Sequence, residues 1–419
     1  MNPPIVIVGG GHAAPPLCAA LAEAGLGAQV HLVCAEPQLP YQRPPLSKAY
    51  LKNPAETLQL HRAEAWYAQA GITLHRADPA VAIDRATRTV TLRSGAVLPY
   101  GQLVLATGTR ARRLPQLLTP AGGLANVAVL RDAADADRMR GLLAGARSVT
   151  VLGGGFIGLE VAATARAQGL DVRVVEVAPR LLGRSVSAEL AAHVLAVHRA
   201  SGITVDLGAQ LGAFEHDGQH LQAITLNGQR LPVDLLLLGI GAEPEDALAR
   251  DSGLHCDNGI VVDAALRSSD PAILAIGDVA RFPVSTRWAP AGGPGGTLLR
   301  LESVQNATDQ ARAAALTLQG QHPVYAALPW FWSEQGPLRL QMTGLMPAPD
   351  APGVQRHRRP GAAEGGFSIL HYVGERLLCV ESVNAPMDHV MSRKLLEAGI
   401  SPAPAVACDP AVALKSLLG

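Results

Sequence analysis

The segment Ser148–Glu176 constrains the fold more than any other part of the chain, because it reads as a strand, a glycine turn, a helix and a second strand. The opening run SVTVL is apolar and β-branched, which predicts a buried strand. Gly153, Gly155 and Gly158 then fit G-x-G-x-x-G, in which the glycines allow a tight turn, close approach of a pyrophosphate, and packing of helix on strand. Glu176 ends the second strand, where its carboxylate can accept hydrogen bonds from both hydroxyls of an adenosine ribose. The segment therefore predicts a dinucleotide site.

A second unit of the same kind opens the chain. Pro4–Val8 predicts a strand, and Gly9, Gly11 and Ala14 give G-x-G-x-x-A, an accepted form of the same turn. Glu36 lies about 25 residues beyond Gly11, near the usual spacing for a ribose-binding acid. Two dinucleotide sites in one chain indicate electron transfer between two bound carriers.

Composition excludes several other classes of function. A chain of 419 residues is long enough for two or three domains. Charged residues make up 17% and the formal net charge is zero, so no global basic field favours nucleic acid or an anionic membrane. No apolar run approaches the ~20 residues that span a bilayer. The first residues lack the charged region of a signal peptide. We expect a soluble cytoplasmic protein that is a monomer or a weak dimer.

The cysteines favour neither a disulfide framework nor a dithiol redox centre. Their number is odd and none form a C-x-x-C pair, which argues against both. We interpret them as buried apolar residues: Cys18, Cys34, Cys256, Cys379 and Cys408. We also expect no metal site, since His193 and His198 miss the i,i+4 spacing that places two ligands on one helical face.

Two segments near the first motif carry candidate ligand contacts. The loop Leu39–Lys48 contains three prolines that stiffen it, which suggests a lid over an isoalloxazine, with Arg43 and Lys48 contacting pyrophosphate or flavin. Thr107 lies in an Ala-Thr-Gly turn at the end of a buried strand, where a ligand can approach closely. Arg131 either reaches the flavin or is a surface residue near a helix start.

The later part of the chain returns to the first domain and then forms a third. Asp278 follows a short strand, where a carboxylate can bind a ribityl hydroxyl, which FAD has and NAD lacks. We predict a discontinuous FAD domain (1–112 and 240–322), an NADH domain (113–239) and a C-terminal α+β domain (323–419). Trp332 is interpreted as either a contact of the isoalloxazine edge or a core residue, and Arg356–Arg359 as a solvated basic loop.

Together these motifs resemble the FAD-dependent ferredoxin reductases of bacterial oxygenase systems over nearly the whole chain. Two strings carry most of the specificity, P-Y-Q-R-P-P-L-S-K ending at Lys48 and F-W-S-E-Q starting at Phe331. The others are IVGGGHAA, LATGTRARRLP, VLGGGFIGLE, GIGAEP, ILAIGDVARFP, RLESVQNATDQARAAA and ESVNAPMDH. Rubredoxin reductases belong to this group, and apoptosis-inducing factor is a distant relative.

The resemblance implies a glutathione-reductase-like α/β fold with two Rossmann-type domains. It also implies that electrons pass from NADH through FAD to a [2Fe–2S] ferredoxin or to a rubredoxin. That acceptor would serve a cytochrome P450 or a ring-hydroxylating oxygenase. Lys48 and Glu160 match a catalytic pair beside the flavin and nicotinamide. The remaining FAD contacts are expected at Gly9, Gly11, His12, Ala13, Ala14, Glu36, Arg43, Ala82, Thr107, Gly108, Arg131, Gly277, Asp278, Val304 and Trp332. The NAD contacts are expected at Gly153, Gly155, Phe156, Ile157, Gly158, Glu160, Glu176, Arg184 and Gly241.

Departures from the family pattern concern the partner more than the chemistry. The Gly- and Pro-rich loop Trp288–Leu299 is longer than usual, Gly336-Pro337 replaces a more polar pair, and Glu245 stands where asparagine is frequent. Two alternatives stay open. An NADH oxidase, peroxidase or disulfide reductase on the same fold is disfavoured where it needs a cysteine just before Pro40. A redox sensor resembling apoptosis-inducing factor is disfavoured by the zero net charge.

Overall fold

A computed structural model describes residues 3–118, 123–183, 185–285, 287–288, 297–348 and 351–418. The chain divides into two compact units. The first unit comprises Met1–Gln42, Leu58–Arg110 and Glu243–Trp330, and the second comprises Arg43–Thr57, Ala111–Ala242 and Phe331–Gly419.

The first unit is built on a five-stranded parallel sheet with the glycine-motif strand Ile5–Val8 at its centre. The strand that forms one edge, Ile273–Ala275, pairs with Gln102–Leu105, so the chain returns to this sheet after the central segment. In spatial order the strands are Ile273–Ala275, Gln102–Leu105, Ile5–Val8, Val30–Val33 and Thr73–His75.

Smaller elements complete the first unit. Its antiparallel strands are Ala80–Asp84, Thr89–Leu92 and Val97–Pro99, and a further small sheet holds Ile260–Val261, Ala280–Pro283 and Leu298–Leu299. Its α-helices are Ala14–Glu23, Glu64–Gln69, Ala247–Asp251 and Val304–Leu318, and its 3₁₀ turns are Gly27–Gln29 and Gly277–Val279. Pro15 and Pro16 fall in the first turn of helix Ala14–Glu23, where a missing amide hydrogen costs no intrahelical bond.

The second unit contains a central parallel sheet with the same arrangement around its own glycine-motif strand, Ser148–Leu152. In spatial order the strands are Thr204–Leu207, Asp171–Glu176, Ser148–Leu152, Leu235–Leu238 and Val127–Ala128. A small antiparallel sheet holds Leu211–His216, Leu221–Leu226 and Gln229–Pro232. The α-helices are Ala49–Lys52, Ala133–Gly145, Phe156–Ala167 and Ala188–Ala200, with 3₁₀ turns at Pro44–Ser47 and Pro115–Leu117.

The C-terminal part of the second unit is an antiparallel sheet followed by helices. Its strands in spatial order are Trp330–Gln335, Leu338–Gly344, Arg376–Val383, Phe367–Val373 and Val354–Pro360. The helices are Pro386–Ala398 and Pro404–Ala407, with a 3₁₀ turn at Leu414–Leu418. Gly336 has φ +59°, which suits the tight turn between the first two strands. The short strands Thr109–Ala111 and Ala242–Pro244 lie where the chain passes from one unit to the other.

Each unit has its own apolar core. In the first unit the core surrounds the parallel sheet and includes the fully buried Ile7, Leu17 and Leu103. In the second unit one continuous core contains side chains of the central sheet, such as Val151, and of the C-terminal sheet, such as Phe367. Among the described residues no helix is both long and apolar enough to cross a bilayer.

The prediction of a solvated loop at Arg356–Arg359 is wrong. These residues lie in the edge strand Val354–Pro360, and only Arg356 and Arg358 are exposed. Arg359 is 6% exposed, and its guanidinium donates to the carbonyl oxygens of Ala407, Asp409 and Val412. The alternation of a strand turns every second side chain inward, so one arginine of the run ties down the C-terminal segment.

Candidate functional site

The first glycine of each motif is required by the fold. Gly9 has φ +117° and Gly153 has φ +107°, a region that other residues rarely adopt. A Cβ at Gly9 would lie 2.2 Å from the carbonyl oxygen of Ala106, and one at Gly153 would lie 2.3 Å from that of Gly239. These glycines let the turn pass under a neighbouring strand end.

The second glycine of each motif has no such requirement. A Cβ at Gly11 would meet no atom within 4 Å, and one at Gly155 would meet only the oxygen of Gly239, at 3.9 Å. Gly155 has φ −83°, which any residue adopts. Each glycine leads into a helix, at Ala14 and Phe156, and helix N-terminal amides attract phosphate. The space that a side chain at either glycine would fill is open, and a pyrophosphate can approach closely there. Both turns therefore fit the dinucleotide that the sequence predicts.

The third position of each motif packs helix on strand. A Cβ at Gly158 would lie 2.6 Å from the oxygen of Gly153, whereas the first motif accommodates Ala14 as a fully buried residue. The helix Phe156–Ala167 therefore runs closer to its strand than an alanine at Gly158 would permit.

The two acids predicted to bind ribose lie at the carboxyl ends of strands, beside their glycine turns. Glu176 Oε2 accepts a hydrogen bond from the amide of Gly154 at 2.6 Å, and its Oε1 accepts from the amide of Ala178 at 2.7 Å. Glu36 accepts a hydrogen bond from the hydroxyl of Tyr41 at 2.5 Å. These bonds fix the carboxylates in place, while their contact with ribose stays a prediction.

Lys48 and Glu160 form a partly buried ion pair in the second unit. Lys48 Nζ lies 2.6 Å from Glu160 Oε2, with the lysine side chain 20% exposed and the glutamate 3%. The hydroxyl of Ser47 donates to the same Oε2 at 2.5 Å, and that of Ser333 donates to Oε1 at 2.7 Å. Glu160 therefore accepts from three donors, and only the lysine remains partly open to solvent.

The segment that carries Lys48 is held against the helix that carries Glu160. Thr164, one turn further along that helix, donates its hydroxyl to the carbonyl oxygen of Ser47 at 3.0 Å. The prolines of the loop form the 3₁₀ turn Pro44–Ser47, and Lys48 Nζ also donates to the oxygen of Pro44 at 3.2 Å. Local stiffness and a side-chain anchor together position the ammonium group.

The other predicted residues of the first unit lie in loops and turns, at the ends of strands and helices, or on an exposed strand face. The hydroxyl of Thr107 donates to the carbonyl oxygen of Glu245 at 2.6 Å, a contact that does not depend on the side chain at the departure Glu245. His12 packs edge-on against His61, with ring centroids 4.9 Å apart. The rest are Ala13, buried before helix Ala14–Glu23; Ala82, exposed on its strand; Gly108 and Gly277, with φ +71° and +75°; Asp278, in a 3₁₀ turn; and Val304, the first residue of helix Val304–Leu318.

The remaining predicted residues belong to the second unit. Arg43 Nη1 donates to the carbonyl oxygen of Arg131 at 2.7 Å, so the structure brings these two together. Ile157, in the first turn of its helix, is 46% exposed. Phe156 packs against Phe331, Gly241 has φ +97°, and Trp332 is partly buried in strand Trp330–Gln335. Arg184 lies outside the described residues, as does most of the loop Trp288–Leu299.

Sequence reasoning missed Ser333 as a partner of Glu160. The F-W-S-E-Q string marked this stretch as distinctive, but it pointed to the tryptophan rather than to the serine. Strand alternation is the only signal that could have turned Ser333 inward.

The surroundings of all five thiols favour the protonated form over the thiolate. Burial, followed by the charge of Glu36, raises the pKa of Cys34 to about 12, and burial raises the pKa of Cys256 to about 11. Burial likewise raises the pKa values of Cys18, Cys379 and Cys408. The thiolate is the nucleophile in disulfide chemistry, so these environments suppress that chemistry.

Comparisons with known proteins agree with this arrangement. Residues 3–311 match the model of the pyridine nucleotide-disulphide oxidoreductase family, and residues 330–418 match the model of the reductase C-terminal domain. Rhodocoxin reductase of Rhodococcus erythropolis is 41% identical over 415 residues, 98% of this chain and 93% of that protein. Putidaredoxin reductase of Pseudomonas putida is 38% identical over 424 residues, 100% of this chain and 97% of that protein.

Solved structures give the same result. A ferredoxin reductase from Rhodopseudomonas palustris matches with a TM-score of 0.91 at 40% identity, covering 100% of both chains. The reductase in a covalent putidaredoxin reductase–putidaredoxin complex matches with a TM-score of 0.90 at 37% identity, covering 100% of this chain and 98% of the other.

The fold and its paired glycine turns define a two-dinucleotide flavoprotein. The chain belongs to the pyridine nucleotide-disulphide oxidoreductase family, in the group of ferredoxin reductases, and it binds FAD and NAD(H). The predicted resemblance and fold class are confirmed.

Proposed function

We propose that this protein is an NADH-dependent, FAD-containing ferredoxin reductase, which passes electrons from NADH to a small iron–sulfur ferredoxin, [2Fe–2S] in type, or to a rubredoxin. The acceptor in turn supplies a cytochrome P450 or a ring-hydroxylating oxygenase. The single observation that carries the proposal is the pair of open glycine positions, Gly11 and Gly155, each at the N-terminus of a helix. Two pyrophosphate sites in one chain require two dinucleotides.

The residues of the chain bind and orient the two cofactors, and bound FAD would supply the redox chemistry, in which electrons arrive in pairs from NADH and leave singly. Gly153, Gly155 and the first turn of helix Phe156–Ala167 hold the NADH pyrophosphate, and Glu176 binds the adenosine ribose. Gly9, Gly11 and Glu36 do the same for FAD. The resemblance implies that Lys48, held by Glu160, would place a positive charge beside the flavin.

The choice of acceptor rests on the relatives and on the thiols. Rhodocoxin reductase and putidaredoxin reductase carry the names of the small redox proteins that they reduce. All five thiols have raised pKa values, so a disulfide reductase or a cysteine-dependent peroxidase on this fold is disfavoured. The domain boundaries, the site residues and a cytoplasmic location, where NADH is supplied, are part of this proposal.

The test is anaerobic stopped-flow reduction of the purified yellow protein by NADH, followed by transfer to candidate acceptors. We expect NADH to bleach the flavin, and cytochrome c reduction to depend on an added [2Fe–2S] ferredoxin or rubredoxin. NADH consumption with oxygen alone, unaffected by any such acceptor, would identify an oxidase. Bound flavin that stays yellow under NADH would refute the proposal altogether.

A further inference from the structure

The Lys48–Glu160 pair is one end of a longer buried chain of polar side chains in the second unit. Ser333 Oγ lies 2.7 Å from Glu160 Oε1 and 3.1 Å from Gln335 Nε2, and Gln335 Oε1 lies 2.9 Å from His198 Nε2. Ser333 and Gln335 are fully buried and His198 is 2% exposed. Buried polar groups in such a chain depend on one another, because none can turn to water instead.

The donor hydrogens available on each side chain fix the direction of every hydrogen bond from Glu160 to His198. The carboxylate of Glu160, paired with Lys48, can only accept, so the single hydroxyl hydrogen of Ser333 must point at Oε1. Ser333 Oγ then has to accept from Gln335, which requires the amide nitrogen of Gln335 on that side. The amide oxygen therefore faces His198, and His198 must carry a hydrogen on Nε2.

We propose that Ser333, Gln335 and His198 form a donor relay that fixes the Glu160 carboxylate, so that Oε1 is committed to the relay and Oε2 alone holds Lys48. These three are positioning residues, since none of them reaches Lys48. The inference rests on the proposed function in one respect, namely that Lys48 acts beside the flavin.

The geometry explains why the relay is needed. Without Ser333, Oε1 would be a buried acceptor with no partner, and the carboxylate would gain by rotating to share Lys48 between both oxygens. The other contacts of the pair lie on the Oε2 side of the carboxylate. Ser47 Oγ donates to Oε2, and Lys48 Nζ donates to the carbonyl oxygen of Pro44. The relay thus sets the position of the ammonium group, not merely the presence of its partner.

The relay also ties two further elements to the pair. His198 lies near the end of helix Ala188–Ala200, and Ser333 and Gln335 lie on the edge strand Trp330–Gln335 of the C-terminal sheet. Burial lowers the pKa of His198, which keeps the ring neutral at pH 7 and leaves its tautomer to be set by the bond to Gln335.

The test combines an NMR measurement with kinetics on the flavin-loaded protein. In protein labelled with ¹⁵N-histidine, we expect His198 to be the Nε2–H tautomer at pH 7, and its ¹⁵N shifts to move in Ser333→Ala. The matched control is Ser382→Ala, which removes a fully buried hydroxyl bonded to Ser368 at 2.9 Å in the same sheet. That control should leave the His198 signals in place. An Nδ1–H tautomer in the unmodified protein would overturn the relay.

Kinetics report the effect on Lys48. Ser333→Ala, Gln335→Leu and His198→Leu should each slow flavin reduction by NADH about tenfold and shift the flavin midpoint potential. Ser382→Ala should do neither, and His198→Gln, which retains a donor, should restore most of the rate. Ser333→Ala behaving like Ser382→Ala in rate and potential would sink the proposal, even if Gln335→Leu fails to fold.

The two proposals fail separately. Loss of the proposed function would show as absence of flavin reduction in the unmodified protein, and the His198 tautomer and its response to Ser333→Ala would still decide the relay.

Discussion

At the scale of single residues, two carboxylates of the predicted site are each fixed by several hydrogen bonds. Glu176 is held by two backbone amides beside the glycine turn of the central sheet, and Glu160 is held by three side-chain donors. One carboxylate faces the expected ribose and the other faces a lysine. Their substitutions should therefore affect cofactor choice and electron entry independently.

Glu176→Arg should relax or reverse the preference for NADH over NADPH. The carboxylate opposes a 2′-phosphate by like-charge repulsion worth several kcal/mol, and an arginine would instead attract it. The kcat/KM for NADH divided by that for NADPH should fall by at least about tenfold. Because the arginine also loses the bonds to Gly154 and Ala178, Glu176→Gln serves as a control that keeps an acceptor but removes the charge. An unchanged ratio in a folded Glu176→Arg protein would refute the assignment.

Glu160→Gln should slow flavin reduction more than it weakens NADH binding. A hydrogen bond to a charged group is worth about 1.5–3 kcal/mol, roughly ten- to a hundredfold in rate if it is felt in the transition state. Stopped-flow reduction with varied NADH measures both quantities. Glu189→Gln is the matched control, since that carboxylate bonds Arg358 at 3.1 Å on the surface, where such a pair contributes little. Equal rates in the two variants would contradict a role for Glu160.

At the scale of elements, different glycines of each turn serve the fold and the predicted pyrophosphate. The first glycine of each turn is required by its positive φ and by a neighbouring carbonyl group, whereas a Cβ at the second would make no close contact. An alanine at the first glycine should therefore lower stability, whereas an alanine at the second should weaken nucleotide binding.

Gly155→Ala should keep the free energy of unfolding within about 1 kcal/mol, because its Cβ meets open space at a helix N-cap. Its KM for NADH should nevertheless rise, since the methyl group enters the space expected for the pyrophosphate. Gly153→Ala should lose about 2 kcal/mol or more, from the positive φ and the contact with Gly239. Urea denaturation and steady-state kinetics check both, with the exposed helical Gly141→Ala as control. A Gly155→Ala protein with unaltered KM would argue against a nucleotide at this turn.

At the scale of the whole molecule, buried histidines should make stability depend on pH. Burial, with Arg393 and Arg339 nearby, lowers the pKa of His389 to about 4, and burial also lowers the pKa values of His31, His61, His75, His193 and His198. These rings bind protons in the unfolded chain at a higher pH than in the folded one. Acid therefore favours unfolding in the window between the two pKa values.

The free energy of unfolding should fall as pH drops from about 6.5 towards 4. Below pH 6.5 the unfolded state binds more protons, so stability rises with pH across this window and levels off above it. His389 alone accounts for up to about 3 kcal/mol, at about 1.4 kcal/mol per unit of pKa difference. Urea denaturation at several pH values measures the slope, which His389→Gln should reduce. A flat profile between pH 4 and 6.5 would contradict these burial effects.

Local patterns predict the parts of this fold that depend on local physics. The strand Ser148–Leu152 follows from an apolar, β-branched run that ends at a glycine turn, and its predicted bounds match the structure. The strand Val354–Pro360 does not, because its basic residues look like a loop when an edge strand faces solvent. The bond from Ser333 to Glu160 is also invisible in the sequence, because the two residues are 173 positions apart along the chain.

The strand Ile273–Ala275 has a consequence for how the protein is made. It completes one edge of the first sheet, yet the ribosome adds it only after every strand of the central sheet, whose last member ends at Leu238. A nascent chain thus carries an unfinished amino-terminal sheet, with the backbone of Gln102–Leu105 unpaired on one side, while the intervening sheet can already close. Translation pauses that occur before this strand has left the ribosome would prolong that exposed edge, and later pauses would not.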